Sequence, residues 1–94
     1  MHQRITLDVR YDQPQEMWDA VLAAYRAMPG WIESNDLPHW FGSESDEKYV
    51  MASVEPGGIV FEGEMEAVEW EQWVADLCVQ LSTALGRPVR DAEG

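Results

Sequence analysis

Polar and apolar residues alternate from the start of the chain. Ile5, Leu7, Val9 and Tyr11 are interleaved with Arg4, Thr6, Asp8 and Arg10, the period of a strand with one buried face. Asp12-Gln13-Pro14-Gln15 then reads as a helix start. Asp12 can accept from first-turn N–H groups, and Pro14 has no N–H to leave unused there. Between Gln15 and Met28, the residues Trp18, Val21, Leu22, Tyr25 and Met28 recur on one helical face, and Pro29-Gly30 ends the helix. From Trp31 to Leu37 no period is sustained, and Ser34, Asn35, Asp36 and Pro38 favour turns. A short strand is expected over His39 to Glu44, and stronger ones over Tyr49 to Glu55 and Ile59 to Glu66, with Pro56-Gly57-Gly58 turning the last two into a hairpin. In the final strand Ile59, Phe61, Gly63 and Met65 face one way, while Val60, Glu62, Glu64 and Glu66 face the other. A long helix is predicted over Ala67 to Leu85. Its stripe is Trp70, Trp73, Val74, Leu77, Cys78, Leu81 and Leu85, and Gly86 with Arg87-Pro88 stops it.

The predicted order is β-α-β-β-β-α, with room for a last short strand around Val89 to Asp91. Both helical stripes need a surface to cover. The expected fold is therefore an α+β two-layer sandwich: a mainly antiparallel sheet with two helices packed on one face. A crossover after the first strand would also permit one parallel pair. Residues 1–90 are expected to form a single domain and 91–94 a loose C-terminal tail.

Composition narrows the class further. The 94 residues include 46% apolar residues and five Trp, which suits a folded domain rather than an acidic disordered tail. Eighteen acids against six Lys and Arg leave a net charge of −12, the opposite of a nucleic-acid or anionic-membrane footprint. The charge is unevenly spread. Residues 33–76 hold twelve acids and one base, Lys48, a net of −11, against −1 for the rest of the chain. A single cysteine, Cys78, gives no intramolecular disulfide, and no signal-peptide pattern or membrane-length apolar window occurs, so a cytoplasmic location is expected.

Density of like charge beside aromatics suggests a protein-binding surface. The expected partner-binding residues are Trp31, Glu33, Asp36, Trp40, Glu44, Asp46, Glu47, Glu62, Glu64 and Glu66. Trp31 and Trp40 would be anchors ringed by acids, as in interfaces where a few aromatic residues carry the binding energy. A solvated face that keeps a small protein soluble accounts for the same acids, and two tryptophans pinning a loop onto the sheet account for the same aromatics. Glu66, Glu69 and Glu71 also suit the positive end of the second helix.

No catalytic constellation emerges. There is no phosphate-binding glycine loop, no nucleophile elbow and no Cys/His spacing for zinc. Cys78 falls on a helical stripe and reads as a buried inert thiol. His39 near Asp36, Glu44, Asp46 and Glu47 could act as an acid-base group or a weak metal ligand, but the spacing matches no defined site. The chain is expected to be no enzyme and to use no cofactor or metal.

Pro38-His39-Trp40-Phe41-Gly42, Tyr49 to Ile59, Trp70-Glu71-Gln72-Trp73 and Leu85-Gly86 together make the chain similar to small acidic bacterial immunity proteins of polymorphic toxin systems. The resemblance covers about half the chain. It implies a cytoplasmic inhibitor that covers the basic active-site surface of a cognate toxin, often a nuclease, and it assigns no contact residues. Two other readings fit the same residues: an accessory or homo-oligomeric subunit, and a nucleic-acid mimic whose carboxylates replace phosphates.

Overall fold

The computed structural model describes residues 1–93, so Gly94 of the expected tail lies outside the described residues. The elements run β1 (His2–Leu7), α1 (Gln15–Ala27), β2 (Trp31–Ile32), β3 (His39–Trp40), β4 (Tyr49–Glu55), β5 (Gly58–Glu64) and α2 (Ala67–Leu85). The five strands form one antiparallel sheet in the order β1-β5-β4-β3-β2. This is the α+β sandwich expected, with both helices on one face. The chain leaves β1 at one edge, passes through α1 to the far edge, and meanders back until β5 pairs with β1. β1 and β2 are thus joined by a crossover yet separated by three strands, so no parallel pair forms.

Local signals differ from the expectation at several ends. β1 stops at Leu7; Val9 is buried beyond it and Tyr11 is exposed. Asp12 does not cap α1. Its carboxylate binds the Arg10 guanidinium at 2.9 and 3.0 Å, a two-pronged contact stronger than a single N–H bond, and Pro14 takes the cap position instead. The Trp31–Ile32 ladder is too short to show a period and was not predicted. β3 ends at Trp40, because Phe41 turns into left-handed backbone at φ +70° and residues 42–46 fold into a tight turn. Glu66 leaves the strand to become the cap residue of α2. The C-terminal segment lies on the free edge of β1: Leu7 bridges Asp91, Asp8 N–H donates to Arg90 O, and Ala92 N–H donates to Thr6 O. It covers N–H and C=O groups that would otherwise invite another strand. At the opposite edge, β2 offers only two residues.

Register decides which side chains enter the core. Leu7 faces Ile59, Ile5 faces Phe61, Ala52 faces Phe61, and Val50 lies between Gly63 and Trp40. This face meets Val21, Ala24 and Tyr25 of α1 and Trp70, Trp73, Leu77 and Leu81 of α2. At its centre Trp40 meets Tyr25 and Trp73 edge-on, with ring centroids 5.1 and 5.0 Å apart, and Phe61 closes the cluster. Such pairs add about 0.5–1.5 kcal/mol each beyond their area. Two of the three buried indoles also find acceptors. Trp40 donates to the Tyr25 carbonyl at 3.1 Å and Trp73 to that of Pro29 at 3.2 Å, so both engage carbonyls where α1 ends. No helix among the described residues is long and apolar enough to cross a membrane.

Burial raises the Tyr25 phenol well above its ordinary value. The unfolded chain would ionise this group near pH ~10, whereas the folded chain keeps its proton. The contribution is therefore complete below that pH and declines as pH rises toward the folded value, by up to ~1.4 kcal/mol per unit. Urea midpoints measured across the alkaline range should fall for the native protein and fall less steeply for Tyr25→Phe. Parallel curves would refute this.

Candidate functional site

Among the described residues no element packs on the sheet face opposite the helices, and strand alternation decides what it displays. β1 contributes His2, Arg4 and Thr6; β5 contributes Val60, Glu62 and Glu64; β4 contributes Tyr49, Met51 and Ser53. His39 of β3 and Ile32 of β2 extend the middle row, which runs Arg4, Glu62, Met51, His39, Ile32.

Tyr49 is the centre of the acidic half. Partial burial, then the carboxylates of Glu44, Glu64 and Glu62, push its phenol up, because a phenolate would meet three like charges. Glu64 stands opposite Tyr49 in the sheet register, Glu62 follows on the same face opposite Met51, and Glu44 lies in the turn that precedes β4. Tyr49 was missed from the sequence, although Tyr49, Met51 and Ser53 alternate with Val50, Ala52 and Val54 and so must face away from the core. Next to this group lies a cleft of about 490 Å³ lined by Asp36, Leu37, His39, Ser43, Glu44, Ser45 and Met51. In it His39 Nδ1 lies 2.9 Å from the Leu37 carbonyl, which can only accept, so Nδ1 donates. Among the described residues no group of three or more His, Cys, Asp or Glu side chains could hold a metal ion.

At the β1 end the charge is partly balanced. His2 lies between the two strand carboxylates, Nε2 3.3 Å from Glu62 and Nδ1 3.5 Å from Glu64. The Met1 amino group, 3.1 Å from Glu64, holds that carboxyl below the usual range, with His2 adding to the effect. Arg4 stands opposite Glu62. These pairs are exposed and weak, so the potential of the face stays negative toward β4 and the turns that flank it.

The remaining expected contact residues are dispersed. Trp40 is 0% exposed and cannot touch a partner, because its strand position points it into the helices. Trp31 is half-buried on the same side. Its indole donates to Glu33 at 3.1 Å, and Glu33 also faces Arg26 of α1, so both lie toward the helical layer. Asp46 is turned inward on its own loop, accepting from Ser43 N–H at 2.8 Å. Glu47 is exposed in the same turn, and Glu66 sits at the N-cap position of α2, with no side-chain capping bond, rather than extending the carboxylate row. The structure therefore sets Glu62 and Glu64 on the open face, Asp36 and Glu44 in the adjoining cleft with Glu47 exposed in the same turn as Glu44, and directs Trp31, Glu33, Trp40, Asp46 and Glu66 elsewhere.

The acidity also divides between the two layers. Glu69 and Asp76 lie along α2, away from the open face, and help line a second cleft with Phe41 and Trp73. Lys48 stands between the two regions, 2.6 Å from Glu69 and 4.2 Å from the Phe41 ring centroid. Cys78 is half-buried rather than buried. Burial, then Asp8 and Asp91, push its thiol up, which keeps it protonated and a poor nucleophile. No protein family, curated protein or solved structure matches this chain, and the open acidic face is its own best guide to function.

Proposed function

We propose that the protein is a non-catalytic recognition module whose open sheet face binds a basic protein surface. The observation that supports this is the register that sets Glu64 opposite Tyr49 and Glu62 opposite Met51, on a sheet face against which no element packs among the described residues. An amphipathic aromatic among carboxylates suits lysine- and arginine-rich surfaces, because it supplies contact area and a cation-binding ring while the acids steer encounter. In its most concrete form the partner is a toxin with a basic catalytic cleft, and the module neutralises it by covering that cleft.

The test starts from a pull-down with the intact protein at low salt, eluted by a salt step. Association rates of the captured basic protein are then measured against ionic strength. Charge reversal at Glu62 and Glu64 should slow association by about tenfold or more and flatten its salt dependence, while Glu16→Lys on α1 leaves both unchanged. A rate indifferent to salt and to both substitutions would overturn the proposal. Capture of several unrelated DNA-binding proteins would replace it with nucleic-acid mimicry. A homodimer that buries Tyr49 would replace it with self-association, against the repulsion of like carboxylates across the axis.

A further inference from the structure

We propose that the outer edge of β1 is a self-association site, held shut by a detachable strap at residues 87–92, and that its partner is β1 of a second copy. This does not depend on the basic partner proposed above. Of the two sheet edges only β1, with six residues, is long enough to pair with another strand; β2 has two. The strap is fastened at few points. Val89 is its one buried side chain, and Val89 N–H donates to Ser82 Oγ at 2.9 Å. Arg90, Asp91 and Ala92 are exposed. Three backbone N–H groups hold them: Asp8 N–H donates to the Arg90 carbonyl at 2.9 Å, Arg90 N–H to the Asp8 carboxylate at 2.8 Å, and Ala92 N–H to the Thr6 carbonyl at 2.8 Å. Arg87 donates to the Asp8 carbonyl at 2.6 Å, so Asp8 is the latch of the strap.

Strand alternation fixes what the strap blocks. Thr6 and Asp8 bond the strap, whereas the Met1 carbonyl accepts from Met65 on the β5 side, so the even-numbered residues aim N–H and C=O outward. Two β1 strands paired antiparallel about Ile5 set Arg4 opposite Thr6, and His2 opposite Asp8, of the second copy. That register needs Thr6 and Asp8, the two residues the strap occupies. His2 and Arg4, which it leaves clear, have no outer backbone partner among the described residues. Charge favours the match. Once Arg87 and Arg90 let go, the Asp8 carboxylate of one copy faces His2 of the other and lies within diagonal reach of Arg4. The Glu62 carboxylates of the two copies stand three strand spacings apart, about 14 Å, with both Arg4 side chains between them. Tyr49 and the open face stay uncovered.

The experiment combines Arg90→Pro with Ala92→Pro in the full chain and follows amide hydrogen exchange and sedimentation. Each proline removes a donor of the strap, and Val89 keeps its place in the core. Both residues are exposed, so the variant keeps its fold. Exchange of the Asp8 amide should quicken about tenfold or more, which reads release of the strap. The native protein should sediment as a monomer, and the variant should dimerise at least about tenfold more tightly. Adding Arg4→Pro should restore the monomer, because it removes an outward N–H and leaves the ladder to β5 intact. Adding Asp8→Lys instead leaves every backbone group in place and should also weaken the dimer, by setting like charges together. Unchanged Asp8 exchange would overturn the strap as a releasable cover. Faster exchange without a tighter dimer, a native dimer as tight as the variant's, or a dimer indifferent to Arg4→Pro and Asp8→Lys would overturn the β1 edge as the site.

Discussion

Replacing Trp40 with alanine is expected to lower stability by about 3–5 kcal/mol, the range for removing a buried large aromatic side chain. Trp40 has no exposed surface and packs edge-on against Tyr25, Trp31 and Trp73 at once. It joins the strand layer to the ends of both helices, so the cavity left behind could not collapse without moving all three. Domains of this size have ~5–15 kcal/mol in hand, so Trp40→Ala should remove a large share of it. Trp40→Phe separates packing from hydrogen bonding. It keeps a ring and loses only the donor to the Tyr25 carbonyl, which still accepts from Met28 N–H at 3.1 Å. That variant should lose only ~1 kcal/mol of hydrogen bonding, plus the smaller ring's deficit in volume. Urea denaturation followed by circular dichroism measures both. A Trp40→Ala midpoint within error of the native one would mean that the aromatic cluster does not hold the layers together.

Gly63→Ala should be nearly as damaging, for a different reason. Gly63 sits in β5, hydrogen-bonded between β1 and β4, and a Cβ there would fall onto the Tyr49 carbonyl oxygen. A backbone atom in a strand paired on both sides cannot step aside as a flexible side chain could. The expected loss is ~3 kcal/mol, the upper end of overpacking. Gly57→Ala is the control, since a Cβ at Gly57 meets nothing within 4 Å and its effect should lie within ~1 kcal/mol of zero. Equal midpoints for the two variants would show that the sheet yields at Gly63. The position also bears on function. Gly63 separates Glu62 from Glu64, so a strand displaced there would shift both carboxylates relative to Tyr49.

The distinction between Trp40 and Tyr49 shows where local pattern stops being informative. His39-Trp40-Phe41 is too short to display a period, so surrounding acids make Trp40 look exposed. Pairing with Trp31 and Val50 places it inside. Tyr49 begins a seven-residue strand with clean alternation, and its outward direction was readable from Val50, Ala52 and their neighbours. Asp46 and Glu33 look like surface acids by composition, yet one closes its own turn and the other faces Arg26. Neither partner is close enough in a regular element for spacing to reveal it.

The sequence by itself determined the order of the main elements, the apolar stripes of both helices, the hairpin at Pro56-Gly57 and the concentration of acid in residues 33–76. These are local properties, set by side-chain period and turn chemistry over a few residues. Only the tertiary structure decided that β5 returns to pair with β1, which tryptophans lie inside, and that the acidity divides between an open sheet face and an α2 groove with Lys48 between them. Those outcomes depend on strand register and on which layer each element joins. Contacts between residues far apart in the chain set both, and no local period encodes them.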